Sequence, residues 1–393
     1  MKRVGPRSTA EEFAWLRLIR SENIGPATFF DLLDRFGTAA AALDALPEIA
    51  ERAGSKRPIR IAKADAVERE LARAKRADIA AHYYGGPGYT ERLMTIHSPP
   101  PVLMVRGSVD ILSRTPLAIV GARKASAAGR TLARNFAGAF GAAGRTVVSG
   151  LALGVDGEAH RAALVSGTVA VVAGGTDRPT PDEHVDLADE IVAAGGAVLS
   201  EMPLGVTPHA RDFPRRNRLI AGLSDAVVIV EAAAHSGSLH TARYASDQNR
   251  EVFAIPGSPL DPRAAGSLQL LRDGASLAIE PRDVLDGVRI YADAEPRLPG
   301  FAEPDTLFDY QPPAPEADAT VADTGGDAMD RITEALSITP VAVDDIVRAT
   351  GIGAASVLGA LVELEIAGHA VREPDGTVRA ALPTDAEVPA DAR

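Results

Sequence analysis

The chain has 393 residues, enough for two or three domains around at least one large core. It has no cysteine, which excludes disulfides, thiolate zinc sites and cysteine nucleophiles and fits a reducing compartment. The net charge is −12, yet residues 292–327 hold nine acids against one base and residues 383–393 three against one, so the remainder carries only −2 and a local basic patch can dominate its field.

No apolar run reaches membrane-spanning length and the first residues lack a signal-peptide core, so a soluble cytoplasmic protein is expected. Residues 1–107 read as a helical N-terminal domain and connection. Glu11–Arg20 is amphipathic, the turn Asn23-Ile24-Gly25-Pro26 follows, and a second helix runs Ala27–Phe36 to Gly37. This resembles a helix-hairpin-helix, whose turn N–H groups can contact a DNA backbone; a plain helical packing domain is the simpler alternative.

From residue 108 to 291 short apolar strands alternate with helices. The strands are expected at Leu117–Val120, Thr146–Ser149, Val169–Val172, Ala197–Ser200, Ala226–Val230 and Val252–Ile255. Such alternation defines an α/β domain with a Rossmann-like, doubly wound, mainly parallel sheet, in which ligands bind beyond the carboxyl ends of the strands. Residues 292–327 form an acidic, Pro-rich linker. Residues 328–382 read as three helices and a hairpin turning at Pro374-Asp375-Gly376, a winged-helix pattern, and residues 383–393 as an acidic tail. The third of those helices has no Lys or Arg between Gly353 and Gly368 but carries Glu363 and Glu365. A groove-reading helix normally carries basic or amide side chains, so a protein-contact or structural role is expected there.

Chemistry concentrates in the loops after the strands. Gly121 allows a tight turn that projects Arg123 over the sheet edge. Gly150 and Gly154 allow close backbone approach; Asp156 and His160, four apart on the next helix, read as a structural pair or a helix-start aspartate, since no third metal ligand is apparent. Gly174 and Gly175 open another such loop. Arg215, Arg216, Asn217 and Arg218 stand at the start of a helix, and Ser236, Gly237 and Ser238 open the next one. Guanidinium groups and helix-start N–H groups both suit phosphates, and the arginine density suggests more than one. Glu231, ending a strand nearby, either orients an arginine or is a catalytic carboxylate. Neither a GxGxxG fingerprint nor a P-loop lysine is present, and no cofactor or metal is expected.

In order, the motifs IVGARKAS (119–126), SGLALGVDGEAHRAAL (149–164), GGTDRPTPDEH (174–184), FPRRNRLIAGLSDAVVIVEA (213–232), SGSLHTAR (236–243) and REVFAIPGS (250–258) resemble the bacterial DNA-processing protein A family (DprA, also called Smf). The resemblance implies a single-stranded DNA-binding protein rather than an enzyme. Such a protein protects incoming strands in natural transformation, loads the RecA recombinase, and is a homodimer through the Rossmann-like domain. It implies a DNA pocket using Arg123, Arg215, Arg216 and Arg218, edged by the loops at Gly150, Gly174 and Ser236. The family commonly has arginine where this chain has Leu153 and asparagine where it has Leu268. The alternative is a nucleoside monophosphate glycohydrolase with a PGGxGT-type loop and a downstream glutamate. Here Gly174-Gly175-Thr176 is followed by Asp177-Arg178-Pro179, and no glutamate stands beside Thr241.

Overall fold

A computed structural model describes residues 5–55, 57–293 and 326–382; most of the expected linker and the whole acidic tail lie outside the described residues. The chain opens with α1 (Thr9–Ile19), α2 (Pro26–Phe36), α3 (Ala39–Arg52) and α4 (Ala64–Arg76). Ser8 caps α1 by accepting from the Glu11 amide (3.3 Å), and Pro26 starts α2 where a missing N–H costs nothing. Trp15, Phe29 and Phe30 meet edge-to-face with centroids 4.9–6.2 Å apart and form the core of this domain.

The next elements are β1 (Ile79–Tyr83), α5 (Glu91–Met94) and β2 (Val102–Gly107). Neither strand was among those expected. Both join the main sheet, because β2 pairs antiparallel with β1 and with β6 (Ala197–Ser200). The expected division after residue 107 therefore falls behind two strands of the sheet.

The six expected strands all form, each within one residue of its predicted position: β3 (Pro116–Gly121), β4 (Thr146–Ser149), β5 (Thr168–Val171), β6, β7 (Ala226–Val230) and β8 (Glu251–Ala254). Between them run α6 (Ala127–Ala142), α7 (Val155–Ala163), α8 (Val185–Ala193), α9 (Asp212–Leu223) and α10 (Ser238–Asp247). After β8 come α11 (Ala265–Arg272), a short strand β9 (Ser276–Leu277) and α12 (Pro281–Asp293). The strand order is β1-β2-β6-β5-β4-β3-β7-β8-β9, parallel from β6 to β9. Strands β3 to β8 are buried almost throughout, as a sheet covered by helices on both faces requires. The order reverses at β3: later strands add first on one side and then, from β7 on, on the other. The crevice past the ends of β3 and β7 is the topological switch point, where such sheets bind ligands.

The C-terminal domain contains α13 (Gly326–Ala335), α14 (Val343–Thr350), α15 (Ala354–Ala367) and the hairpin β10 (Ala370–Arg372) and β11 (Val378–Ala380). One face of α15 packs on its own domain through Val357 and Leu361, and another carries Val362 and Ile366 into the main core. Thr28 of α2 donates to Glu365 (2.6 Å), Arg372 spans Glu365 (2.8 Å) and Asp31 (3.0 Å), and Arg35 meets Glu363 (3.1 Å). The acidic third helix is thus docked on the N-terminal domain, which explains its lack of basic residues. Among the described residues no single helix is long and apolar enough to cross a membrane.

Candidate nucleic-acid interface

The switch point is closely packed at Gly121 and braced by Glu231. A side chain at Gly121 would lie 2.8 Å from the Val155 Cγ2 atom and from the Val230 carbonyl carbon, so only a glycine lets the end of β3 stay paired with β7 and packed on α7. Glu231 has φ +53, a left-handed conformation that costs a non-glycine residue about 1–3 kcal/mol. Its carboxylate accepts from the Ser126 amide (2.9 Å) and from the Ser126 hydroxyl, which in turn accepts from the Gly129 amide (3.0 Å). The anion therefore sits on the N-terminus of α6, where the helix dipole favours it. Of the two roles weighed for Glu231, the first takes an indirect form: its hydrogen bonds fix the loop that carries Arg123, without touching the guanidinium among the described residues.

Arg123 is exposed, and its guanidinium carbon lies 5.1 Å from the centroid of the Phe213 ring at the start of α9. This cation–π contact pre-orients the charge without neutralising it. Phe213 is half-buried, and its role as the platform for Arg123 went unread in the sequence.

The four-residue cluster on α9 divides, because successive helix residues point about 100° apart. Arg215 is exposed and forms no ion pair among the described residues. Arg216 is buried. It donates to the Gly150 carbonyl (2.7 Å) and to the Val171 carbonyl, and its Nε reaches Asn217 (3.2 Å). Asn217 donates to the Gly237 carbonyl (3.2 Å), tying α9 to the Ser236–Ser238 loop. Arg218 is buried on another side and paired with Glu201. Sequence proximity placed three arginines in one pocket; the structure leaves Arg215 at the rim and puts the other two inside.

The glycine loops are packed rather than open. Gly150 is buried, with Arg216 and Asp156 so close that an added Cβ would lie 2.8–2.9 Å from them. Asp156 accepts from the amides of Gly150 (3.1 Å) and Ala152 (3.3 Å) and does not meet His160. Burial pushes the Asp156 carboxyl up and Arg216 down to about 10, each against the pull of the other. Gly174 and Gly175 are buried under residues 203–208, where a Cβ would lie 2.6–2.8 Å from the carbonyls of Val206 and Pro203. In the next loop, Ser236 and Ser238 share a hydroxyl contact (2.8 Å) while Gly237 is exposed at the start of α10, whose first turn holds no acid.

A cavity of about 550 Å³ lies on the other side of Arg123 from α9. Arg123, Lys124, Arg130, Leu153, Arg161 and His184 are among the residues that line it. Lys124 and Arg161 were not read as site residues. A signal was available: Gly154, Gly157 and Arg161 recur at helical spacing, so two residues without side chains clear the face on which Arg161 stands.

These features define a doubly wound α/β protein whose carboxyl edge presents unneutralised cations, the surface of a polyanion-binding protein. The chain belongs to the DNA recombination-mediator protein A family, whose model matches residues 81–289. A DprA-like N-terminal HHH domain matches residues 9–73 and a DprA winged helix domain residues 311–376. Protein Smf of Escherichia coli is 40% identical over 295 residues, covering 74% of this chain and 75% of that one. The crystal structure of DNA processing protein A from Streptococcus pneumoniae superposes with a TM-score of 0.58 at 30% identity, covering 72% of this chain and 98% of that one. DNA processing protein A from Helicobacter pylori, described for its single-stranded DNA binding mode, gives a TM-score of 0.50 at 26% identity over 54% of this chain and 96% of that one.

Proposed function

We propose that this chain is a single-stranded DNA-binding recombination mediator that protects incoming strands in natural transformation and helps to load RecA in the cytoplasm. The observation that carries the reading is two exposed, unneutralised guanidiniums at the carboxyl edge of the sheet, Arg123 held over Phe213 at the switch point and Arg215 on α9 among residues that follow β5 and β6. A few well-placed cations suffice to grip phosphates on a protein whose total charge is negative. The family supports the DNA reading, and the described relative from Helicobacter pylori binds single strands.

Binding without chemistry is the reading favoured over glycohydrolysis, because Glu231, the carboxylate at the switch point, is engaged with Ser126. A homodimer through the Rossmann-like domain is supported by the sheet edge at β9, which among the described residues has a strand neighbour on one side only and carries Leu277 and Ile279 exposed. The test is a fluorescence-anisotropy titration of oligothymidylate at two salt concentrations, with sedimentation and a RecA pull-down on the same preparation. Salt-sensitive binding by wild type and roughly tenfold weaker binding by Arg123→Ala, about 1.4 kcal/mol, are expected. Equal affinity in the two proteins would remove the role of Arg123. Release of free base from nucleotides would instead establish the enzyme, and a monomer in sedimentation would remove the dimer.

A further inference from the structure

We propose that the cavity beyond Arg123 is a second subsite of the same DNA track, in which Lys124 and Arg161 hold a phosphodiester and Leu153 carries a base; this rests on the single-strand reading above. Its volume of about 550 Å³ falls within the roughly 300–1,000 Å³ of small-molecule sites, ample for one nucleotide.

The charges around it do not cancel. Arg130 is matched by Glu158 (3.2 Å), which also takes Arg134 (2.8 Å). That leaves Arg123, Lys124 and Arg161 against the single lining carboxylate of Glu183, and those three cations form no ion pair among the described residues. An excess of exposed, uncompensated cations around a concave site is what an anionic ligand requires.

The fold also builds the place. Gly154, with φ +79, packs its backbone on that of Arg123, where an added Cβ would lie 2.8 Å from the Arg123 carbonyl carbon, so the two loops meet with no side chain between them. Gly157 leaves room for Arg161 to lie beside His184: a Cβ there would be 3.1 Å from Arg161 Nη1 and 2.7 Å from His184 Nε2. His184 is itself fixed, since its Nδ1 donates to the Leu151 carbonyl (2.8 Å). Leu153, 39% exposed at the mouth, offers the cavity an apolar surface. Sugar–phosphate needs the cations and a base needs an apolar face, and this cavity supplies both next to the arginine that starts the track.

Arg123 touches Phe213 of α9 on one side and lines this cavity on the other, so a strand held at Arg123 continues to Lys124 and Arg161. A strand short enough to end at Arg123 does not reach them. The test is an anisotropy titration of oligothymidylates of graded length against wild type, Lys124→Ala with Arg161→Ala, and Leu153→Asp. The substituted side chains are exposed, and circular dichroism melts would confirm an unchanged fold.

For the shortest strands that bind, the double variant is expected to match wild type. For longer strands it is expected to bind about tenfold more weakly, with the logarithmic salt slope reduced by about 0.7 for each phosphate that is no longer neutralised. Leu153→Asp is expected to weaken long strands only. Equal weakening at every length would show that these residues belong to the Arg123–Arg215 grip itself, and unchanged binding at every length would show an unoccupied cavity; either overturns the proposal while leaving single-strand binding intact. Failure of wild type to bind any strand would overturn the underlying reading as well.

Discussion

At the scale of single residues, chemistry follows from who neutralises whom. Arg123 and Arg218 have the same side chain, but one lies over an aromatic ring and keeps its charge available while the other is spent on Glu201. His160 shows the same logic for a proton. It is fully buried, its Nδ1 lies 2.7 Å from the Thr168 hydroxyl, and that hydroxyl donates to the Val147 carbonyl (2.8 Å). The hydroxyl's own proton is thus committed, so Nδ1 carries the imidazole hydrogen and Nε2 is left without a partner. Burial, followed by the charges of His184, Arg216 and Arg161, holds its pKa down to about 3 against an ordinary 6.5. The unfolded chain takes up a proton below pH 6.5 that the folded one refuses, so stability falls as pH drops from 6.5 towards 3, by up to about 1.4 kcal/mol per unit. Urea melts between pH 6.5 and 5 should show this slope in wild type and a flatter one in His160→Leu, the other titrating groups being common to both. Parallel slopes would mean that His160 protonates within the fold.

At the scale of elements, α9 decides how the sequence is to be read. Phe213 and Arg215 serve the rim, Arg216 reaches inward to the Gly150 and Val171 carbonyls, and Arg218 turns to Glu201. Arg215→Ala should therefore weaken single-strand binding with little change in melting temperature. Arg216→Ala should cost about 3–5 kcal/mol of stability, because it strands Asp156 and two buried carbonyls. Thermal melts beside anisotropy separate the two, and a stable Arg216→Ala protein with reduced affinity would return Arg216 to the DNA contact. The parallel sheet was legible because each strand is a short apolar run between helices, and so was the loop of Arg123. Strand β1 was not, since Ile79-Ala80-Ala81-His82-Tyr83 has no strong alternation, and β2, though it begins with the apolar run Val102–Val105, went unread because it stands outside the strand–helix alternation and pairs antiparallel with β6, distant in sequence. The division of labour within Arg215–Arg218 was equally hidden: helical spacing says that the residues diverge, but only the surrounding strands say which direction is the inside.

At the scale of the whole molecule, the C-terminal domain acts as a clasp. Its α15 lies on α2 and α3, and the tip of its hairpin reaches α10, where Asp375 meets Arg243 (3.3 Å). The domain thereby joins the N-terminal helices to α10 of the Rossmann-like domain. The centre of the contact is Arg372, held between Glu365 and Asp31, with Thr28 completing the Glu365 carboxylate. Glu365 is only 4% exposed, and burial pushes its carboxyl up even with Arg372 beside it. Removing Arg372 leaves that group without its cation, at a cost of about 3–5 kcal/mol for a buried pair broken on one side. Arg372→Ala should therefore release the domain: amide hydrogen exchange should rise in α15 and on the facing turns of α2, while the sheet stays protected. Single-strand affinity should stay within twofold of wild type, because among the described residues no hydrogen bond or ion pair links Arg123 or Arg215 to the clasp. Unchanged exchange in α15 would show that Val362 and Ile366 hold the domain without the ion pairs. A large fall in affinity would place the winged helix on the DNA track, against the direction in which its acidic helix points.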